Sequence, residues 1–234
     1  MKNTTREELL KVAKPAFFNG EMVKAILDGR KTQTRRVVKP QPEIKNEETG
    51  VYVLMDDGSF EMKIDGSSCT TDYPVYPKYF RGDILYIPEC QSIERQYMIF
   101  PEDKETVRVV YKADGGVRHI PVSKKEWDRL AKYDDLAPKF LSPYWTTKET
   151  ARLFLRITDV RVERLQEISD VDTAKEGIRA DVMICSLEDP DYIENIGGRE
   201  EFAALWDSTV KKADIAKYGW DANPWVFVYS FEKI

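Results

Sequence analysis

"RLFLRITDVRVERL", Arg152 to Leu165, is the stretch that decides the fold. Leu153, Leu155 and Ile157 recur at every second position, which is the period of a half-buried β-strand. The phase slips at Thr158-Asp159, and Val160 and Val162 carry the alternation on. That slip predicts a bulge or bend inside one long strand. Downstream, "SDVDTAKEGI" predicts a short helix with Ser169 as N-cap, a Ser-x-x-Asp box and Gly177 as C′ residue. "GREEFAALWDSTV" reads as a further helix, and "WVFVYSFEKI" as a closing strand.

Upstream, residues 4–13 predict a short helix and "KPAFF" an extended piece. "NGEMVKAILDG" predicts a helix with Asn19 as N-cap, Met22, Ile26 and Leu27 on one face, and Gly29 as stop. "TQTRRVV" then leaves as a strand. "VYVLM" and "SFEMKI" flank "DDG", a hairpin signal. "RGDILYIPE" is a turn followed by a strand. "TVRVVYKADGGVRHIPV" is a second hairpin, and "SKKEWDRLAKY" a helix opened by Ser123 and Glu126. Mostly antiparallel strands with few helices give α+β, a small barrel with helices at its ends. Residues 1–234 read as one domain with insertions at about 40–80 and 92–141.

The chain has 234 residues, 42% of them apolar and 33% charged, with a net charge of −5. It carries no apolar run near the ~20 residues that span a bilayer. It also has no apolar leader, so a cytoplasmic protein is expected. An acidic chain does not hold long duplex nucleic acid by general phosphate neutralisation; any nucleic-acid contact would be local. Three cysteines, Cys69, Cys90 and Cys185, stand far apart and suit reduced thiols. His119 is the only histidine. With no paired Cys or His spacing, neither a metal nor another cofactor is expected.

Against this background "LDGRKTQTRRVVKP", Leu27 to Pro40, is anomalous. It concentrates Arg30, Lys31, Arg35 and Arg36 just past a helix end. One reading is a solvated edge, with cations favoured by the helix dipole. The other is the rim of a small ligand pocket.

The segments "FNGEMVKAILDGRKTQTRR", "RGDILYIPE", "LFLRITDVRVERLQEISDVDTAKEGI", "FAALWDS" and "WDANPWVFVYSFEKI" together resemble the ASCH-domain proteins of phages and prophages, within the PUA-like superfamily. The resemblance covers roughly residues 15–39, 80–90 and 142–234. It implies a PUA-like β-barrel with a cleft beside the first helix, used for RNA or a modified nucleoside. The family includes bacterial enzymes that deacetylate N4-acetylcytidine with a Lys-Thr-x-Thr segment and a Glu closing a later short helix. Position by position these fall on Lys31, Thr34 and Glu176, which the resemblance therefore makes catalytic. Gly29, Arg30, Arg35, Arg36, Glu89 and Arg152 become ligand-binding candidates. Where phage relatives carry Arg-Glu-Thr-Trp, this chain has Pro88-Glu89-Cys90-Gln91, so only the Glu is kept.

The chemistry would be amide hydrolysis without a metal. A threonine hydroxyl becomes a nucleophile when a base takes its proton. A lysine serves as that base when burial or cationic neighbours lower its pKa. Backbone N–H groups near Gly29 to Lys31 would hold the oxyanion. Three alternatives stand beside the enzyme: a module that binds single-stranded RNA or a modified base without turnover, a ribonuclease, and a phage accessory protein working in the bacterial host cell through protein contacts made by its insertions. Oligomeric state is not legible in the sequence.

Overall fold

The computed structural model describes residues 5–42, 50–64, 74–96, 105–133, 139–178, 182–185, 193–196 and 198–234. In chain order the elements are α1 (Arg6–Val12), β1 (Lys14–Pro15), α2 (Gly20–Leu27), β2 (Gln33–Val37), β3 (Gly50–Leu54) and β4 (Phe60–Ile64). Next come β5 (Ile84–Tyr86), β6 (Gln91–Gln96), β7 (Thr106–Tyr111), β8 (Val117–Pro121), α3 (Lys124–Leu130) and β9 (Phe154–Arg164). The chain closes with α4 (Asp170–Lys175), β10 (Val182–Cys185), β11 (Ile193–Ile196), α5 (Arg199–Thr209), α6 (Ile215–Tyr218) and β12 (Trp225–Lys233). The class is α+β with mostly antiparallel pairing, the β1–β5 pair being parallel. Among the described residues no helix is long and apolar enough to cross a membrane.

These residues fall into two compact units. The first comprises Met1–Asp28, Asp83–Arg156 and Lys233–Ile234, and the second Gly29–Gly82 and Ile157–Glu232. In the first unit, β5 pairs with β1 and with the start of β9 (Leu85 opposite Leu155). The β6-β7-β8 meander and α3 fill the span read as an insertion and build a core of their own. Val107, Val109, Tyr111, Ile120, Val122, Trp127 and Leu130 are buried together there. Asn19 caps α2 as the sequence reading has it, accepting from the Met22 N–H at 2.8 Å, and the Thr5 side chain and Glu8 close a full capping box on α1 that the reading did not name. The box expected at α3 is only half made. Ser123 accepts from the Glu126 N–H, while the Glu126 carboxylate is buried and receives Arg129 and Thr147. Glu149 takes the Ser123 N–H at 2.7 Å instead.

In the second unit, β12 lies between β9 and β2, pairing antiparallel with β2 from Val226–Val37 to Ser230–Gln33. Leu165, Ile168, Phe202, Trp206, Val226 and Val228 form its core. The β3–β4 hairpin of the other inserted span contributes here. Tyr52 meets Trp225 edge-on at 4.8 Å, and Phe60 meets Phe227 at 6.0 Å. The β10–β11 hairpin lies where no strand was expected from the sequence. Cys69 lies outside the described residues, and Cys90 is a free thiol.

Candidate functional site

In the second unit the basic run meets the end of α4. Gly29 adopts φ +79°, the left-handed turn that ends the preceding helix and that glycine takes without steric cost. The next three residues then run antiparallel to the α4 C-terminus. Arg30 Nη1 donates to the Gly177 carbonyl at 2.8 Å, Lys31 Nζ to that of Glu176 at 2.8 Å, and the Thr32 N–H to that of Lys175 at 2.8 Å. The last carbonyls of a helix lack intrahelical donors, and cations suit the negative end of its dipole. Gly177 at φ +92° turns the chain away beyond them.

Lys31 also binds the Glu176 carboxylate, Nζ to Oε2 at 2.6 Å, with its side chain 0% exposed. Burial pushes the Lys31 ammonium below its ordinary pKa, and the Glu176 carboxylate does not fully offset this. The second Glu176 oxygen takes Arg35 Nη1 at 3.0 Å. Arg35 reaches further, with Nη2 on Glu163 Oε1 at 2.6 Å and on Asp172 Oδ2 at 3.2 Å. Burial alone would lower the Arg35 pKa, but Glu176 and Glu163 raise it overall. Arg161 binds Asp172 at 2.6 Å and Glu163 at 2.9 Å, and Lys175 binds Asp172 at 3.2 Å. Lys31, Arg35 and Glu176 thus meet in one buried ionic cluster.

Thr34 takes the alternate place. It pairs with Tyr229, on the strand face opposite to Arg35. Among the described residues its hydroxyl makes no hydrogen bond to Lys31 or Glu176. Arg36, on that same face, is exposed. Gln33, on the face of Arg35, reaches Ser230 Oγ through its amide nitrogen at 3.3 Å, while its buried amide oxygen has no hydrogen-bond partner among the described residues.

Glu89 and Arg152 lie in the first unit and bind each other. Arg152 Nε and Nη2 meet the two Glu89 oxygens at 3.0 and 2.8 Å. Arg152 also holds Asp114 through two bonds and lies 4.0 Å from the centre of the Tyr111 ring. Burial, followed by the Glu89 charge, pushes the Tyr111 phenol up to about 12. The Tyr111 hydroxyl donates to the Thr150 carbonyl at 2.8 Å.

Sequence reasoning missed Arg161, Glu163 and Asp172. A period-two signal was present, because Arg161 and Glu163 share a strand face. Asp172 stands one helical turn before Glu176, and that spacing would have flagged it. Among the described residues no group of three His, Cys, Asp or Glu is placed to hold a metal ion. Comparison of the chain with protein-family models, curated proteins and solved structures finds no match.

Proposed function

We propose that the chain is a PUA-like protein of the ASCH type and an amidohydrolase that removes an acyl group from the exocyclic amine of a modified nucleoside such as N4-acetylcytidine. The buried Lys31–Glu176 pair carries the reading, supported by the position-by-position likeness of Lys31, Thr34 and Glu176 to the deacetylase motif. A lysine that holds its proton less tightly than usual is better suited to general-base work than an ordinary lysine. Neutral Lys31 takes the Thr34 hydroxyl proton as Thr34 Oγ adds to the acyl carbon. Collapse breaks the C–N bond. The leaving nitrogen takes a proton passed from the Lys31 ammonium through Glu176, across the 2.6 Å contact. Water then cleaves the threonyl ester, so amide and water become carboxylic acid and amine. Thr34 makes no bond to Lys31 here and faces the other side of β2 from Arg35, so the β2 backbone around Thr34 has to reorient when substrate binds.

The test is release of cytidine and acetate from N4-acetylcytidine by the purified full chain. The expected result is turnover by the wild type, and a loss of about 10²- to 10⁴-fold in Lys31→Ala, Thr34→Ala and Glu176→Gln, with thermal melting confirming that each variant is folded. No product from N4-acetylcytidine or other acylated nucleosides would sink the reading. A second reading, nucleoside or RNA binding without turnover, is favoured by the placement of Thr34 and by the ion pairs that already occupy both Glu176 oxygens. It predicts retention of nucleoside or short RNA with no product formed.

A further inference from the structure

In the first unit, the segment "KFLSPYWTTK", Lys139 to Lys148, carries aromatic rings on the surface. Tyr144 is 78% exposed, Trp145 61% and Phe140 43%. Isolated exposed apolar residues need no explanation, but three large rings within six positions do. Their arrangement is specific. Tyr144 stacks on Phe17 with ring centres 4.8 Å apart and planes 23° apart. One face of Tyr144 is therefore covered, and its exposure leaves the other open, so a planar ring can continue the stack.

The charge carried by the segment itself is positive. The segment contains two lysines and no carboxylate, in a chain of net charge −5. Among the described residues Lys139, Lys148 and Lys112 make no ion pair, and Lys112 Nζ lies 5.9 Å from the centre of the Phe140 ring. Among the described residues two neighbouring acids are engaged. Glu149 receives the N–H and hydroxyl of Ser123, and Glu126 receives Arg129. The backbone is fixed as well: the Trp145 N–H donates to the Ser142 carbonyl at 2.9 Å, and the Thr146 hydroxyl to the Pro143 carbonyl at 2.9 Å.

We infer that this surface binds single-stranded nucleic acid, with bases stacking on Tyr144 and Trp145 and the phosphates running past Lys139, Lys148 and Lys112. Open π-faces beside unpaired cations suit a strand whose bases are unstacked and whose backbone is anionic. A purely apolar partner would leave these lysines uncompensated. The inference is independent of the Lys31–Glu176 chemistry, and neither depends on the other's success.

The experiment is fluorescence anisotropy with a short labelled oligouridylate, at low and at near-physiological salt, using the full chain. The expected result is salt-sensitive binding, weakened about 5- to 150-fold by each of Tyr144→Ala and Trp145→Ala. Lys139→Gln and Lys148→Gln should each flatten the salt slope by about 0.7. An abasic strand of equal length, with the same phosphates but no bases, should bind far more weakly than the oligouridylate. Tyr144, Trp145 and Lys139 are exposed and Lys148 is half-buried, so the variants should melt with the wild type. Equal binding of the abasic strand, unchanged affinity in both aromatic variants, or no wild-type binding at low salt would each overturn the inference. Self-association lost in Tyr144→Ala, without oligonucleotide binding, would overturn it in favour of a protein-docking surface.

Discussion

Arg35 is the residue on which the second unit's polar interior turns. A guanidinium presents donors in a fixed fork, so it can serve several carboxylates where a lysine ammonium could not hold the same geometry. Here it joins Glu163, Asp172 and Glu176, and Asp172 is shared with Arg161 and Lys175. Burial pulls the Asp172 pKa up, but the Lys175 hydrogen bond and the Arg161 and Arg35 charges outweigh it, leaving the value below the ordinary 3.8. A carboxyl with a depressed folded pKa stabilises the fold above its unfolded value, and that contribution is lost as pH falls through the folded one. The stability gap between wild type and Asp172→Asn should therefore be constant near neutrality. It should shrink only below about pH 4. Urea titrations across that range check it; a gap that grows on acidification would contradict the network's sign.

Helix α4 shows how one short element was legible and its purpose was not. Ser169, Gly177 and the helix between them are where the sequence puts them, with Ser169 Oγ accepting from the Asp172 N–H at 3.1 Å, but the expected Ser-x-x-Asp box is only half made because the Asp172 carboxylate serves Arg35, Arg161 and Lys175. Local rules suffice for this because the groups involved lie within a few residues of each other. The partners of its last carbonyls are Arg30, Lys31 and Thr32, about 145 residues earlier, and no local rule reaches that far. The helix-end reading of the basic run holds in part: its cations do serve a helix end, but that of α4, and Lys31 is buried, not solvated. Because Gly177 stands at φ +92°, Gly177→Ala should cost about 1–2 kcal/mol in chemical denaturation. It should also loosen the Lys31–Glu176 contact, so a variant as stable as the wild type would show that the turn tolerates a side chain.

At the scale of the molecule the chain passes from one unit to the other after Asp28, Gly82, Arg156 and Glu232. Neither unit is a continuous segment, and β9 runs unbroken through the boundary between Arg156 and Ile157, just before the slip at Thr158-Asp159. Each unit has its own core, so Leu130→Ala in the first and Leu165→Ala in the second should each cost about 2–5 kcal/mol. A strand shared through the boundary loses its pairing on one side when the other melts. Calorimetry and circular dichroism should therefore give one coincident transition, in the variants as in the wild type. Two resolved transitions would mean that the units unfold separately.

The sequence alone determined the α+β class, the N-caps of α2 and α4 and the two hairpins in the inserted spans. All of these follow from periodicity, turn chemistry and hydrophobicity over a few residues. It also singled out Lys31, Arg35 and Glu176 as residues to watch. Only the tertiary structure decided that these three meet, that Glu163, Asp172 and Arg161 join them, and that Thr34 stands opposite Tyr229 on the other strand face. It likewise decided that Arg152 closes on Glu89 and Asp114. Charge pairing between residues more than a hundred positions apart depends on strand register and sheet order, which side-chain patterns within a segment do not encode.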